Sequence, residues 1–85
     1  MNKYILEEIM NLPIDGEDSI GLITSISYIQ RFANVELMTN EHNDIYYQVL
    51  VSDLLLSDID SDTLMQLRNN GWGLSSDKTK ILKKI

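Results

Sequence analysis

Apolar side chains recur at helical spacing from the start of the chain. Ile5, Leu6, Ile9, Met10 and Leu12 fall on one face of residues 3–12, and Glu7, Glu8 and Asn11 fall on the other, which predicts an amphipathic helix. Pro13 ends it, because the residue before a proline is pushed out of the helical region. Asp15-Gly16 then predicts a turn. Residues 19–33 fit two patterns. As a helix, Leu22, Ile23, Ile26, Ile29, Phe32 and Ala33 form a broad stripe, with Glu17 and Asp18 at its positive end and Arg31 near its negative end. As a strand, Ile20, Leu22, Ile26, Tyr28 and Phe32 alternate with Gly21, Ser25 and Ser27. The helix is the preferred reading.

The middle of the chain changes period. Val35–Met38 and Ile45–Val51 read as two strands, and the turn-rich Asn40-Glu41-His42-Asn43-Asp44 between them predicts a hairpin. The second strand is apolar on both faces over much of its length, which suits a central place in a sheet. Asp60 or Ser61 can then cap a helix through Leu64, Met65 and Leu67 that stops at Asn70-Gly71. Gly71 suits the left-handed position after a helix, and Trp72 should pack back on Leu67 and be buried. Trp72-Gly73-Leu74, a polar turn at Ser75–Lys78 and Lys80-Ile81-Leu82 predict a closing hairpin, with a short helix from Ser76 as the alternative. The expected fold is one α+β domain spanning residues 1–85: a small antiparallel sheet with helices on one face, in the order α-α-β-β-α-β-β.

Charge adds a second division. Thirteen acidic side chains stand against seven basic ones, a net charge of −6. Up to Leu67 the only bases are Lys3 and Arg31; from Arg68 onward, Arg68, Lys78, Lys80, Lys83 and Lys84 face Asp77 alone. An acidic body with a short basic end bears on partners rather than on chemistry. The absence of cysteine removes disulfides and thiolate metal sites, so the fold must rest on apolar packing, alone or with a partner. No apolar run approaches the roughly 18 residues that span a bilayer. Glu7 and Glu8 interrupt what would be the apolar core of a signal peptide. A cytoplasmic location, with no membrane contact, is the expectation.

Two likenesses follow from these residues. Leu56-Ser57-Asp58-Ile59, Leu64, Leu67, Gly71-Trp72 and Asp77 resemble a strand–helix–Gly-Trp–strand phrase found in many small phage and bacterial proteins. The acidic, cysteine-free form of under a hundred residues resembles phage-encoded inhibitors, including some anti-CRISPR proteins. The first likeness covers about a third of the chain and implies a folding signature. The second is one of size and charge; it implies a non-enzymatic inhibitor acting in a host cytoplasm, and it transfers no functional residue.

Candidate chemistry is sparse. Asp58-x-Asp60-x-Asp62 has the alternate carboxylates that open a calcium loop, but position six is Thr63 instead of Gly and position twelve Asn69 instead of Glu. The plainer reading is that these acids cap and decorate a helix. His42 is the single histidine and lies in a turn; a zinc site commonly takes four Cys and His ligands. A Ser–His–carboxylate triad has no support beyond serines explained by caps and turns. A paired-carboxylate hydrolase needs a cleft that so small a fold hardly accommodates. No glycine-rich phosphate loop is present, so neither cofactor nor metal is expected. The lysines from Lys78 to Lys84 could touch phosphates weakly, but the acidic body opposes direct nucleic-acid binding, and the plainer reading is an edge strand kept soluble and solitary by its charge.

The expected function is therefore a non-enzymatic binding module that meets a basic protein surface. Asp53, Asp58, Asp60 and Asp62 would steer the encounter. Tyr46 and Tyr47, on opposite faces of their strand, would supply one aromatic contact. The alternatives are a self-associating structural domain, with a homodimer as its natural form, and small-ligand binding at an oligomer interface.

Overall fold

The computed structural model describes residues 1–14 and 21–85, apart from the Leu22 side chain. The Asp15-Gly16 turn and the Glu17–Asp18 pair lie outside the described residues. Helix α1 (Lys3–Met10) starts where the Asn2 side chain accepts a hydrogen bond from the Tyr4 amide at 2.7 Å. That oxygen satisfies one of the amides that a helix start leaves without a partner. Leu6, Ile9 and Met10 are buried as the apolar periodicity requires, whereas Ile5 and Leu12 lie exposed at its margins. α2 (Gly21–Ile29) settles the ambiguous segment as a helix. Of its described stripe Ile29 is buried, Ile26, Phe32 and Ala33 pack against the core, and Ile23 is turned to solvent.

β1 (Glu36–Thr39) and β2 (Ile45–Leu50) form the expected antiparallel hairpin. Asn40 builds its turn: the Asn40 Oδ1 accepts from the His42 and Asp44 amides at 2.9 and 3.0 Å. Asn43 takes a positive φ of 62°, a conformation asparagine tolerates better than most residues.

One element departs from expectation. The strand ends at Leu50, and Val51 opens a further short helix, α3 (Val51–Leu56). Val51 and Leu54, three apart, are both buried, so the segment turns its apolar side chains inward by winding rather than by alternating. The element order is thus α-α-β-β-α-α-β-β.

α4 (Ser61–Asn69) is capped by Asp60, whose Oδ1 accepts from the Thr63 amide at 2.8 Å. After it, Gly71 adopts φ +94°, and two hydrogen bonds close the helix: the Gly71 amide to the Arg68 carbonyl at 3.0 Å and the Trp72 amide to the Leu67 carbonyl at 3.1 Å. This pairing satisfies carbonyls the helix end would otherwise strand. It also delivers Trp72, wholly buried, into the same core as Leu67.

β3 (Gly73–Leu74) and β4 (Lys80–Lys84) complete the sheet as the closing hairpin, in the spatial order β1-β2-β4-β3. β2 is central, as its apolar character implied. The lysine-bearing strand is not at an edge: β4 pairs with β2 on one side and β3 on the other. The last strand in sequence sits inside the sheet because α4 carries the chain to the far side of β4's place before β4 is laid down, so β3 takes the edge.

The register puts Tyr47, Val49 and Ile81 on one face, and there Val49 and Ile81 join the buried side chains of all four helices. Apolar burial contributes roughly 25 cal/mol per Å2, and this layer holds the buried hydrophobic cluster.

Candidate functional site

Asp53, Asp58, Asp60 and Asp62 do not form one patch with one role. Asp53 is half-buried on α3, and Asp58 is exposed in the connector from α3 to α4. In that connector the Ser57 hydroxyl donates to the Leu54 carbonyl at 2.7 Å and accepts from the Ile59 amide at 3.2 Å, which seats Ile59 in the core and leaves Asp58 outward. Asp60 is engaged as the helix cap, and its hydrogen bonds from Thr63 hold its carboxyl below the usual range. Asp62 lies exposed in the first turn of α4, where the helix dipole favours a carboxylate. None of the four takes part in an ion pair among the described residues, where the pairs are Glu41 with His42 and Asp44 with Lys84.

The structure adds an acid that charge counting did not single out. Glu36, on β1, lines a small hollow of about 100 Å3 with Asp53, Asn34, Gln48 and Leu50. Its Oε2 accepts from the Gln48 Nε2 at 3.1 Å, which fixes the carboxylate over the outer face of the sheet. Asn34 and Asp53 also line a second hollow next to it, with Phe32, Ala33 and the largely exposed Leu56. The two hollows thus join through Asn34 and Asp53, and no basic residue lines either. Glu36 and Asp53 stand 17 residues apart in sequence, so no spacing rule connects them; the closest signal is the buried Gln48 opposite Glu36 in the hairpin register.

The tyrosines part as alternation on a strand demands. Tyr47 packs against the core on the helix side. Tyr46, half-buried on the outer face, lines a recess with Asn40, Asp44, Leu82 and Lys84. Neither lines the Glu36–Asp53 hollow.

Other singled-out residues have structural roles. His42 is exposed at the hairpin tip, with Nε2 3.7 Å from the Glu41 carboxylate. Arg68, from the basic end, is a staple: its Nε donates to the Leu12 carbonyl at 2.7 Å and a terminal nitrogen to the Trp72 carbonyl at 3.1 Å. Asp77 organises the last turn, accepting from the Ser75 and Thr79 hydroxyls at 2.7 Å and the Thr79 amide at 3.0 Å, and these bonds lower its pKa to about 2. Among the described residues no group of three or more His, Asp or Glu side chains is placed to hold a metal ion. No described helix is long and apolar enough to cross a membrane.

Compared with known proteins, the chain matches no family model, no curated protein and no solved structure.

Proposed function

We propose that the protein is a non-enzymatic binding module that engages a basic surface on a protein partner, blocking or regulating it in the manner of a small acidic inhibitor. One observation carries this reading. Asp53 and Glu36 converge on a small hollow of about 100 Å3 lined by no base, and neither has an ion-pair partner among the described residues. Carboxylates left without an internal counter-charge cost little while hydrated and become attractive to a cation brought by another molecule. Asp58 and Asp62, exposed nearby in sequence, add to the long-range field that guides the encounter. The exposed Leu56 beside the hollow supplies apolar contact area once the charges have met.

The test is to isolate the partner from the native cytoplasm by pull-down, and then to measure binding kinetics over a salt series. Glu36→Gln with Asp53→Asn should slow association by about tenfold at low salt, and the difference should shrink as salt rises. Asp58→Asn with Asp62→Asn should act mainly on the association rate. Association that is unchanged at every salt concentration would defeat this reading and favour self-association.

A further inference from the structure

We propose that the free edge of β1 receives an extended segment of the partner, bearing lysine or arginine at alternate positions, as a fifth strand of the sheet. The proposal rests on the reading of a basic protein partner and specifies how that partner docks. Among the described residues β1 is the terminal strand and pairs with β2 alone. The Asn40 amide bonds to the Asp44 carbonyl across the hairpin, and the same register pairs Met38 with Tyr46 and Glu36 with Gln48. In an antiparallel ladder the hydrogen-bonded pairs alternate, so Leu37 and Thr39 direct their amides and carbonyls outward from the sheet. Folded proteins guard such edges with charged side chains, lysine above all, with proline, a bulge or mere shortness, and the one charge on β1 is the acidic Glu36. The opposite edge, β3, is guarded by its two-residue length. β1, Glu-Leu-Met-Thr, has neither lysine nor proline and runs for four residues.

The surroundings select the occupant. Leu37 is 59% exposed beside the edge, on the helix-side face, and can cover apolar side chains of an added strand. On the outer face the same strand would pass Glu36, with Asp53 across the hollow. A segment that alternates basic and apolar residues would therefore match both faces at once. A second copy of this chain would instead bring Glu36 and Asp53 toward acids of its own, with a net charge of −6 on each side.

The experiment uses the full chain and a capped synthetic hexapeptide of alternating lysine and valine. Binding is followed by amide chemical shifts and hydrogen exchange at low salt. The expected result is that the amides of Leu37 and Thr39 shift and exchange at least tenfold more slowly when the peptide saturates. N-methylation of one alternate set of peptide residues should weaken binding at least tenfold, since it removes ladder donors and leaves the charge intact. Thr39→Pro should abolish binding, because the Thr39 amide faces away from β2. Should that variant fail to fold, the N-methylated peptides decide alone. A glutamate–valine peptide should not bind.

Binding that ignores N-methylation but weakens in Glu36→Gln with Asp53→Asn would overturn strand addition and leave the acidic-surface reading standing. Shifts confined to residues 58–62 would do the same. No binding by the lysine–valine peptide would overturn the proposal, as would slow exchange at Leu37 and Thr39 without peptide in a dimeric chain, which would make a second copy the occupant.

Discussion

The corner after α4 and the free edge of β1 are built on opposite terms. At the corner, Gly71 turns the chain, Trp72 enters the core, and its Nε1 donates to the buried Ser25 hydroxyl at 3.2 Å. Arg68 ties the same turn to the end of α1. Lys83, half-buried, reaches across Gly71, which sets a cation near the negative end of α4. A single buried oxygen there, Oδ1 of Asn70, has no partner. At β1, by contrast, Leu37, Ile45 on the neighbouring strand and Ile85 at the chain end all remain exposed. Stability is concentrated where sequence-distant groups meet, whereas at β1 backbone and apolar surface stay uncovered among the described residues.

Changes at four positions test this contrast. The largest effect is expected for Trp72→Ala, which empties the centre of the corner and removes the indole hydrogen bond to Ser25. It should cost about 3–5 kcal/mol in denaturant unfolding. An unchanged unfolding midpoint would show that the corner does not hold the fold. Gly71→Ala comes next, because a side chain at φ +94° is strained by about 1–2 kcal/mol. The Lys83 ammonium, 2.5 Å from where the new Cβ would sit, must also move, although its flexible stem makes that adjustment easy. Gly71→Asn should cost less than Gly71→Ala, since asparagine accepts the left-handed conformation.

A smaller effect concerns pH. Asp77 has a folded-state pKa of about 2 against an ordinary 3.8, because three hydrogen bonds favour its charged form. Its contribution is therefore complete above pH 3.8 and is lost as pH falls toward 2. Melting curves from pH 4.5 to 2 should fall less steeply for Asp77→Asn than for the parent chain; parallel curves would show that the turn does not rely on the carboxylate. The smallest effect is expected at the edge itself. Leu37→Lys should change stability by no more than about 0.5 kcal/mol, because an exposed residue loses little burial. A loss comparable to Trp72→Ala would mean that β1 belongs to the core and would erase the contrast.

Local features were legible in the sequence wherever consecutive residues carry the physics. The periodicity of α1, the Asp60 cap, the Gly71-Trp72 stop and the two hairpins each depend on a handful of neighbours. That Tyr46 and Tyr47 face opposite ways followed from simple alternation; which of them meets the core did not. α3 was not legible, because Val51-Ser52-Asp53-Leu54-Leu55-Leu56 continues an apolar run too short for its period to declare itself. Of the candidate site, the exposure of Asp58 and Asp62 could be expected from charge density, since unpaired carboxylates resist burial. The convergence of Asp53 with Glu36 could not.

The sequence by itself thus determined where the helices and strands other than α3 form and how several of them stop, because caps, turns and side-chain periods act over a few residues. Only the tertiary structure decided that β4 lies inside the sheet, that Arg68 reaches the Leu12 carbonyl 56 residues away, and that Trp72 meets Ser25 across 47. It alone left β1 as the long free edge and placed Glu36 beside Asp53. These arrangements depend on which distant surfaces bury together once the loops close, a balance of apolar burial against chain entropy summed over the whole chain. No short stretch of residues encodes that balance.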